Sequence, residues 1–260
     1  MLKRFIVFVY GIASYAVFLA TYLYAIGFVG NVYVPRTIDG PPTDGLAGSL
    51  AIDLALLLLF ALQHSVMARP AFKQWWTRFI PEPAERSTYV LASSLALIAL
   101  FACWHPLGGS IWSVQDPTAA MVLYVLCAFG WLLVLVSTFL INHFDLFGLR
   151  QVWFYLHSVP YRSIGFRMPG PYRLVRHPLY VGWLFAFWAT PTMTATHLLF
   201  AVATTGYILI AIQLEERDLD ASLGDAYREY RRNVPMLIPF TRRAPPHSLS
   251  GQKAPGSAVP

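Results

Sequence analysis

Phe5–Val29 reads FIVFVYGIASYAVFLATYLYAIGFV, and no charged side chain occurs anywhere between Arg4 and Arg36. About 20 apolar residues in a helix cross a hydrocarbon core of about 30 Å, so this segment reads as a membrane span. A cleavable signal sequence would have a shorter apolar core and a small-residue cleavage site. This run is aromatic and ends in Gly27-Phe28-Val29-Gly30-Asn31 without an Ala-x-Ala pattern, which makes it a permanent first helix.

Four more regions have the same character: Leu46 to Val66, Thr88 to Trp104, Ala119 to Ile141, and a long stretch from Leu179 to Leu214. The last is too long for one span. It divides at Ala189-Thr190-Pro191-Thr192-Met193-Thr194, where a proline among turn-forming residues interrupts a helix and lets the chain reverse. A fifth helix therefore runs to about Ala189 and a sixth begins at about Ala195, the two forming a hairpin. The fifth is short for a crossing and needs tilt, extension or support from neighbours. The expected fold is an all-α, polytopic membrane bundle of about six helices, with residues 1–240 as one domain. From His247 to Pro260 the chain is rich in Ser, Pro and Gly, and 241–260 reads as a disordered tail.

Composition agrees. Of 260 residues, 57% are hydrophobic and 12% charged, against about 25% charged in a soluble domain. Loops that remain in the cytoplasm keep positive charge. Six spans with the N-terminus inside leave only Arg36 outside, so the other 18 of the 19 Lys and Arg residues are cytoplasmic. Both termini are then expected to be cytoplasmic. The net charge of +6 is explained by this topology and by anionic lipid headgroups, without nucleic acid as a partner. Cys103 and Cys127 fall within spans and suggest neither a disulfide framework nor a metal site.

Polar groups within spans are costly and each has two readings. Asp53 and His64 in the second span fit a bundle-facing hydrogen bond and an interfacial position. Trp75-Trp76, Trp153 and Tyr155 fit interfacial anchors. The segment from Asn142 to Pro178 is denser, with Asn142, His143, Asp145, Arg150, His157, Arg162, Arg167, Arg173, Arg176 and His177 among many aromatics. Pro178 suits the first position of a helix and disfavours helical geometry at His177, so His177 sits at or near the N-cap. The first-turn amides of Leu179, Tyr180 and Val181, with Arg173 or Arg176 nearby, would receive a small anion such as a carboxylate. A basic flank on a capped helix is the plainer reading. The hairpin returns Glu215 and Glu216 to the same membrane face, and anion-binding groups beside carboxylates suit a zwitterionic or cationic ligand.

Arg176-His177-Pro178-Leu179-Tyr180-Val181-Gly182, then Glu215-Glu216, then Gly224, Tyr227, Tyr230, Pro235 and Pro239 resemble the signature of isoprenylcysteine carboxyl methyltransferases, phospholipid methyltransferases and their bacterial relatives. Tyr22–Asn31, Leu62–Arg69, Asn142–Gln151 and Ala189–Thr194 extend the likeness over most of residues 1–240 to the bacterial methanethiol S-methyltransferases. That resemblance implies a membrane enzyme that converts methanethiol to dimethyl sulfide with S-adenosylmethionine, releasing S-adenosylhomocysteine, with no metal. It implies a cytoplasmic cofactor site in which Arg176, His177, Glu215 and Glu216 hold the polar ends of the cofactor. Tyr180, Tyr227 and the Pro235-Met236-Leu237 stretch are candidates for the adenine slot, and Tyr172, Arg173, Leu179 and Tyr230 complete the candidate set. Methyl transfer needs the acceptor sulfur in line, so positioning supplies much of the rate. A thiol near pKa 8.5 also needs ionising. His143 with Asp145 as its orienter is the candidate base, and Arg150 the candidate stabiliser of the thiolate. His143 as a helix cap or headgroup contact is the alternative.

Two other functions fit parts of the pattern. The same chemistry on an isoprenylcysteine carboxylate or a lipid amine would need a lateral opening between helices. A haem or electron carrier would use His64, His143, His177 or His197. A transporter fits less well, since ionisable groups gather at helix ends rather than at the midplane.

Overall fold

A computed structural model describes residues 1–42, 45–162 and 169–241. Arg167 and the expected tail, apart from Thr241, lie outside the described residues. The chain is a polytopic membrane helical bundle: α1 (Leu2–Gly30), α2 (Leu46–Ala68), α3 (Pro70–Trp76), α4 (Glu85–Cys103), α5 (Pro117–Ile141), α6 (His143–Leu146), α7 (Leu149–Leu156), α8 (Pro178–Trp188), α9 (Ala195–Leu223) and α10 (Asp225–Asn233). Of these, α1, α2, α4, α5 and α9 are long and apolar enough to cross a membrane. Their outward faces carry large exposed apolar residues such as Leu23, Leu58, Leu62, Val125 and Ile210.

Without a hydrophobic force between helices in lipid, close packing relies on small residues. The buried face of α1 includes Gly11, Ser14, Thr21 and Gly27, and that of α4 includes Ser87, Ser93, Ser94 and Ala96. The tightest crossing joins α5 to α8. A Cβ on Gly130 would fall 2.5 Å from Ala186 N and 2.7 Å from Gly182 O, and one on Gly182 would fall 2.8 Å from Gly130 O. Neither position has room for a side chain. At Gly148, before α7, φ is +85° and a Cβ would meet Ser87 Oγ at 2.7 Å, so the turn requires glycine twice over.

The expected break between the last two spans falls where α8 ends and α9 begins. Its form differs from a simple turn. Residues Thr192–Thr194 form a strand, β2, pairing antiparallel with β1 (Ser110–Ser113) of the α4–α5 connection. The ribbon satisfies backbone groups that a broken helix leaves open. It also explains the short α8. His177 meets Glu216 of α9 at 3.0 Å, and Thr194 caps α9 by accepting from His197 N. Residues 178–194 therefore travel as far as α9 does from Ala195 to Glu216, roughly 32 Å at 1.5 Å per residue. The helix supplies about 16 Å, and the extended residues after it supply the rest at up to about 3.3 Å each.

The bundle has two chemically distinct ends. At one, the loops carry the basic clusters, with Arg69 paired to Asp218 at 2.9 Å and Arg4 hydrogen-bonded to Ser158. At the other, Asp53 accepts from His105 N, Trp104 Nε1 donates to Ile38 O, and Asp39 receives Thr194 and Asn31. Asp53 thus takes the bundle-facing structural reading, fully buried and fastening a loop.

Candidate active site

At the basic end, the two residues leading into α8 form a buried clasp with α9 and the end of α10. Arg176 Nε donates to Glu216 Oε1 at 2.7 Å, and its Nη1 donates to Arg231 O and Val234 O at 3.1 and 2.7 Å. His177 Nε2 reaches the same Glu216 oxygen at 3.0 Å. The backbone follows: Arg176 N donates to Pro235 O and His177 N to Met236 O. Arg176, His177 and Glu216 are all buried. A buried ion pair needs this kind of satisfaction, because its desolvation cost rivals the Coulombic gain.

His177 is the N-cap residue of α8, with Pro178 next, as the sequence indicates. The first-turn amides of Leu179 and Tyr180 lie before any intrahelical acceptor is within reach. Beside them Glu215 keeps a carboxylate that is 47% exposed, receives the Tyr180 hydroxyl at 3.1 Å and lies 3.8 Å from His177 Nδ1. One face of the clasp thus offers helix-end donors next to an open carboxylate.

The structure divides the two acidic residues and the two arginines by role. Glu216 and Arg176 face each other, and Arg176 is committed to protein acceptors rather than aimed at a ligand. Arg173 is exposed at the end of the turn Gly170–Arg173. Tyr227 and Tyr230 are buried, and Tyr230 donates to Tyr172 O at 2.6 Å. Burial pushes the Tyr230 hydroxyl up to about 12, so it remains a donor and braces α10. Of the apolar candidates, Met236 and Leu237 line an open groove of about 830 Å³ shared with Val181, Leu184 and Trp188.

His143 and Asp145, two positions apart in the sequence, are not partners. The Asp145 carboxylate takes Arg150 Nη1 at 3.0 Å and the Tyr161 hydroxyl at 2.8 Å, and Asp145 N caps back to Asn142 Oδ1. Arg150 therefore has its charge met by Asp145. His143 instead lies between Tyr15 of α1 (Nε2, 2.7 Å) and Thr138 of α5 (Nδ1, 2.8 Å), with Phe139 stacked on its ring at 4.1 Å. Because the Thr138 hydroxyl donates to Leu135 O, its oxygen is left to accept, which assigns the imidazole hydrogen to Nδ1 and the lone pair to Nε2. Burial holds His143 below the usual histidine value, so the neutral form prevails at neutral pH. Tyr15 escaped the sequence reading: it stands 128 residues from His143 inside an apolar span rich in tyrosine.

The bundle, with a guanidinium–carboxylate–imidazole clasp at its basic end, defines a polytopic membrane protein whose polar chemistry is gathered where α8 begins and α9 ends. The chain is 56% identical over 239 residues to the methanethiol S-methyltransferase of Crocosphaera subtropica, covering 92% of this chain and 94% of the relative. It is 54% identical over 242 residues to that of Mycobacterium tuberculosis, covering 93% and 99%. Nurim of Rattus norvegicus is 34% identical over 183 residues, covering 67% of this chain and 69% of that protein. No family model and no solved structure matches the chain. The chain belongs to the methanethiol S-methyltransferase family and is a membrane methyltransferase.

Proposed function

We propose that the protein methylates methanethiol to dimethyl sulfide with S-adenosylmethionine as donor, at the basic end of the bundle. Methanethiol comes from the names of its relatives. The observation that carries the donor is the α8 start: helix-end amides for a carboxylate lie beside the open Glu215 carboxylate for an ammonium. The residues fit the group. Leu179 and Tyr180 offer the amides, Glu215 the opposing charge, and Met236 and Leu237 an apolar wall for the adenine. Arg176, His177 and Glu216 fix α8 against α9 so that these groups keep their spacing, and Tyr172, Tyr227, Tyr230 and Pro235 hold α10 to the clasp. When bound, the donor supplies an electrophilic methyl on a sulfonium.

We place the basic end in the cytoplasm, with six crossings, because 18 of the 19 Lys and Arg residues then lie inside. The proton of the thiol needs an acceptor. Among the sequence candidates, neutral His143 keeps that capacity at Nε2, reached through Tyr15, while Asp145 and Arg150 neutralise each other and support the wall of the site. Calorimetric titration of the purified protein with S-adenosylmethionine tests the donor site: saturable binding weakened by Glu215→Gln is expected, and no binding by the wild type would refute it.

A further inference from the structure

At the end of the bundle away from the clasp, the end of α1, one face of α5, the end of α8, β2 and the first turn of α9 enclose a cavity of about 340 Å³. Val29, Tyr124, Ala186 and Ala189 form apolar and aromatic walls, and Asp39 and His197 supply charge and a ring nitrogen. His197 is 1% exposed, and one side of its ring has a structural task. Its Nε2 lies 2.9 Å from Phe187 O, among the last four carbonyls of α8, which a helix leaves open. A carbonyl only accepts, so Nε2 carries a hydrogen. On the other side of the ring, Nδ1 is buried and has no hydrogen-bond partner among the described residues.

Asp39 Oδ2 lies 3.7 Å from that nitrogen, beyond hydrogen-bond length. The carboxylate comes from the loop after α1 and is held by the Thr194 hydroxyl and by Asn31 Nδ2 at 2.8 Å. These donated hydrogen bonds favour its charged form, and its two oxygens have lone pairs left for further donors. Among the described residues its one ion-pair neighbour is His197. In the neutral ring, Nδ1 therefore points a lone pair toward an anionic oxygen. Two acceptors placed this way call for a donor shared between them.

The chemistry of that donor is narrow. An anion would meet the Asp39 charge. A metal ion would want more ligands, and no group of three or more His, Cys, Asp or Glu side chains able to hold one occurs among the described residues. One water would bridge the two atoms, yet the cavity has roughly ten times the volume of about 30 Å³ that a water occupies in the liquid. A largely apolar chamber of this size with a few convergent polar groups suits a small organic molecule. A primary ammonium has N–H donors for both atoms, a charge for the carboxylate and a carbon chain for the walls.

We infer that this cavity binds a primary ammonium group carrying a short carbon chain, with Asp39 Oδ2 and His197 Nδ1 as its acceptors. The site goes beyond the methyl-transfer reading and does not depend on it, since none of its residues belongs to the clasp. One N–H is donated to each acceptor, and no covalent bond forms or breaks. A free small amine and the headgroup of phosphatidylethanolamine present the same chemistry.

The test uses the full-length protein with isotope-labelled histidine in phosphatidylglycerol nanodiscs at neutral pH. It is titrated with n-butylammonium chloride or with tetramethylammonium chloride, which has the same charge and no N–H, while nitrogen NMR follows His197 Nδ1. The expected result is an unprotonated Nδ1 whose resonance moves saturably with butylammonium and stays put with tetramethylammonium. Asp39→Asn should weaken butylammonium binding roughly tenfold, the loss of one charge-assisted hydrogen bond. Nanodiscs of phosphatidylethanolamine separate the two sources: a lipid headgroup sets the resonance at its amine-bound position before any amine is added, whereas a free amine moves it only on titration. An Nδ1 already protonated in phosphatidylglycerol without amine overturns the inference, because ring and carboxylate then form a plain ion pair. No movement with butylammonium, equal movement with tetramethylammonium, or full affinity in Asp39→Asn overturns it too. The wild-type titrations decide the matter even if that variant does not fold.

Discussion

His177 Nε2 and Glu216 Oε1 lie 3.0 Å apart across the gap between the start of α8 and the end of α9. Glu215, one residue away, turns to the open side. The two carboxylates should therefore fail differently. Glu216→Ala leaves the Arg176 charge buried without its partner and should cost about 3–5 kcal/mol of stability, seen as a lowered unfolding temperature. Glu215→Gln should keep the unfolding temperature and lower donor affinity about tenfold, the equivalent of one charge-assisted hydrogen bond. Equal effects of the two on unfolding temperature would contradict the division.

Gly130 and Gly182 face each other so closely that either Cβ would enter the opposite backbone. Gly182→Val should destabilise by roughly 1–3 kcal/mol through overpacking. A thermal unfolding curve in detergent reads this directly, and an unshifted midpoint would show that the helices can part without loss.

The depressed His143 value carries a pH dependence with a definite sign. Burial disfavours the charged ring in the folded protein, so as the pH falls below the ordinary value of 6.5 the unfolded chain takes up the proton first. Stability is then fully present above about 6.5 and declines as the pH drops toward the depressed folded-state value. His143→Asn should flatten that decline. Unfolding midpoints measured from about pH 7.5 to about pH 5 decide it, and an unaltered slope in the variant would assign the dependence to another group.

The proposed orientation, argued from the partition of positive charge, is open to a labelling test. In a cysteine-free background, Ser113→Cys should react with a membrane-impermeant maleimide added to intact cells, whereas Ser222→Cys should react only after permeabilisation. The reverse pattern would invert the bundle.

Much of the fold was legible because lipid imposes simple demands. Runs such as Phe5–Val29 must be helical to satisfy their backbone, and Pro191 among hydroxyl residues marks where α8 gives way to α9. Pro178 placed His177 at a helix cap for a local reason, and the hairpin then carried Glu216 back to it. What lay beyond reach were pairings set by helix packing alone. Nothing near Ser110 announces that it pairs with Thr194. Proximity in sequence suggested that Asp145 orients His143, yet Arg150 and Tyr161 claim the carboxylate and a tyrosine from α1 meets the imidazole. His64 looked interfacial because its partners, Tyr89 and Ser93, stand on another helix.

Methyl transfer to methanethiol is tested most directly by supplying membranes that contain the protein with methanethiol and S-adenosylmethionine carrying a deuterated methyl group, then analysing the headspace gas by mass spectrometry. Dimethyl sulfide bearing one deuterated methyl, formed only when both compounds and the protein are present, is the predicted result. Membranes in which the protein binds the donor but release no labelled dimethyl sulfide above a protein-free control would contradict it.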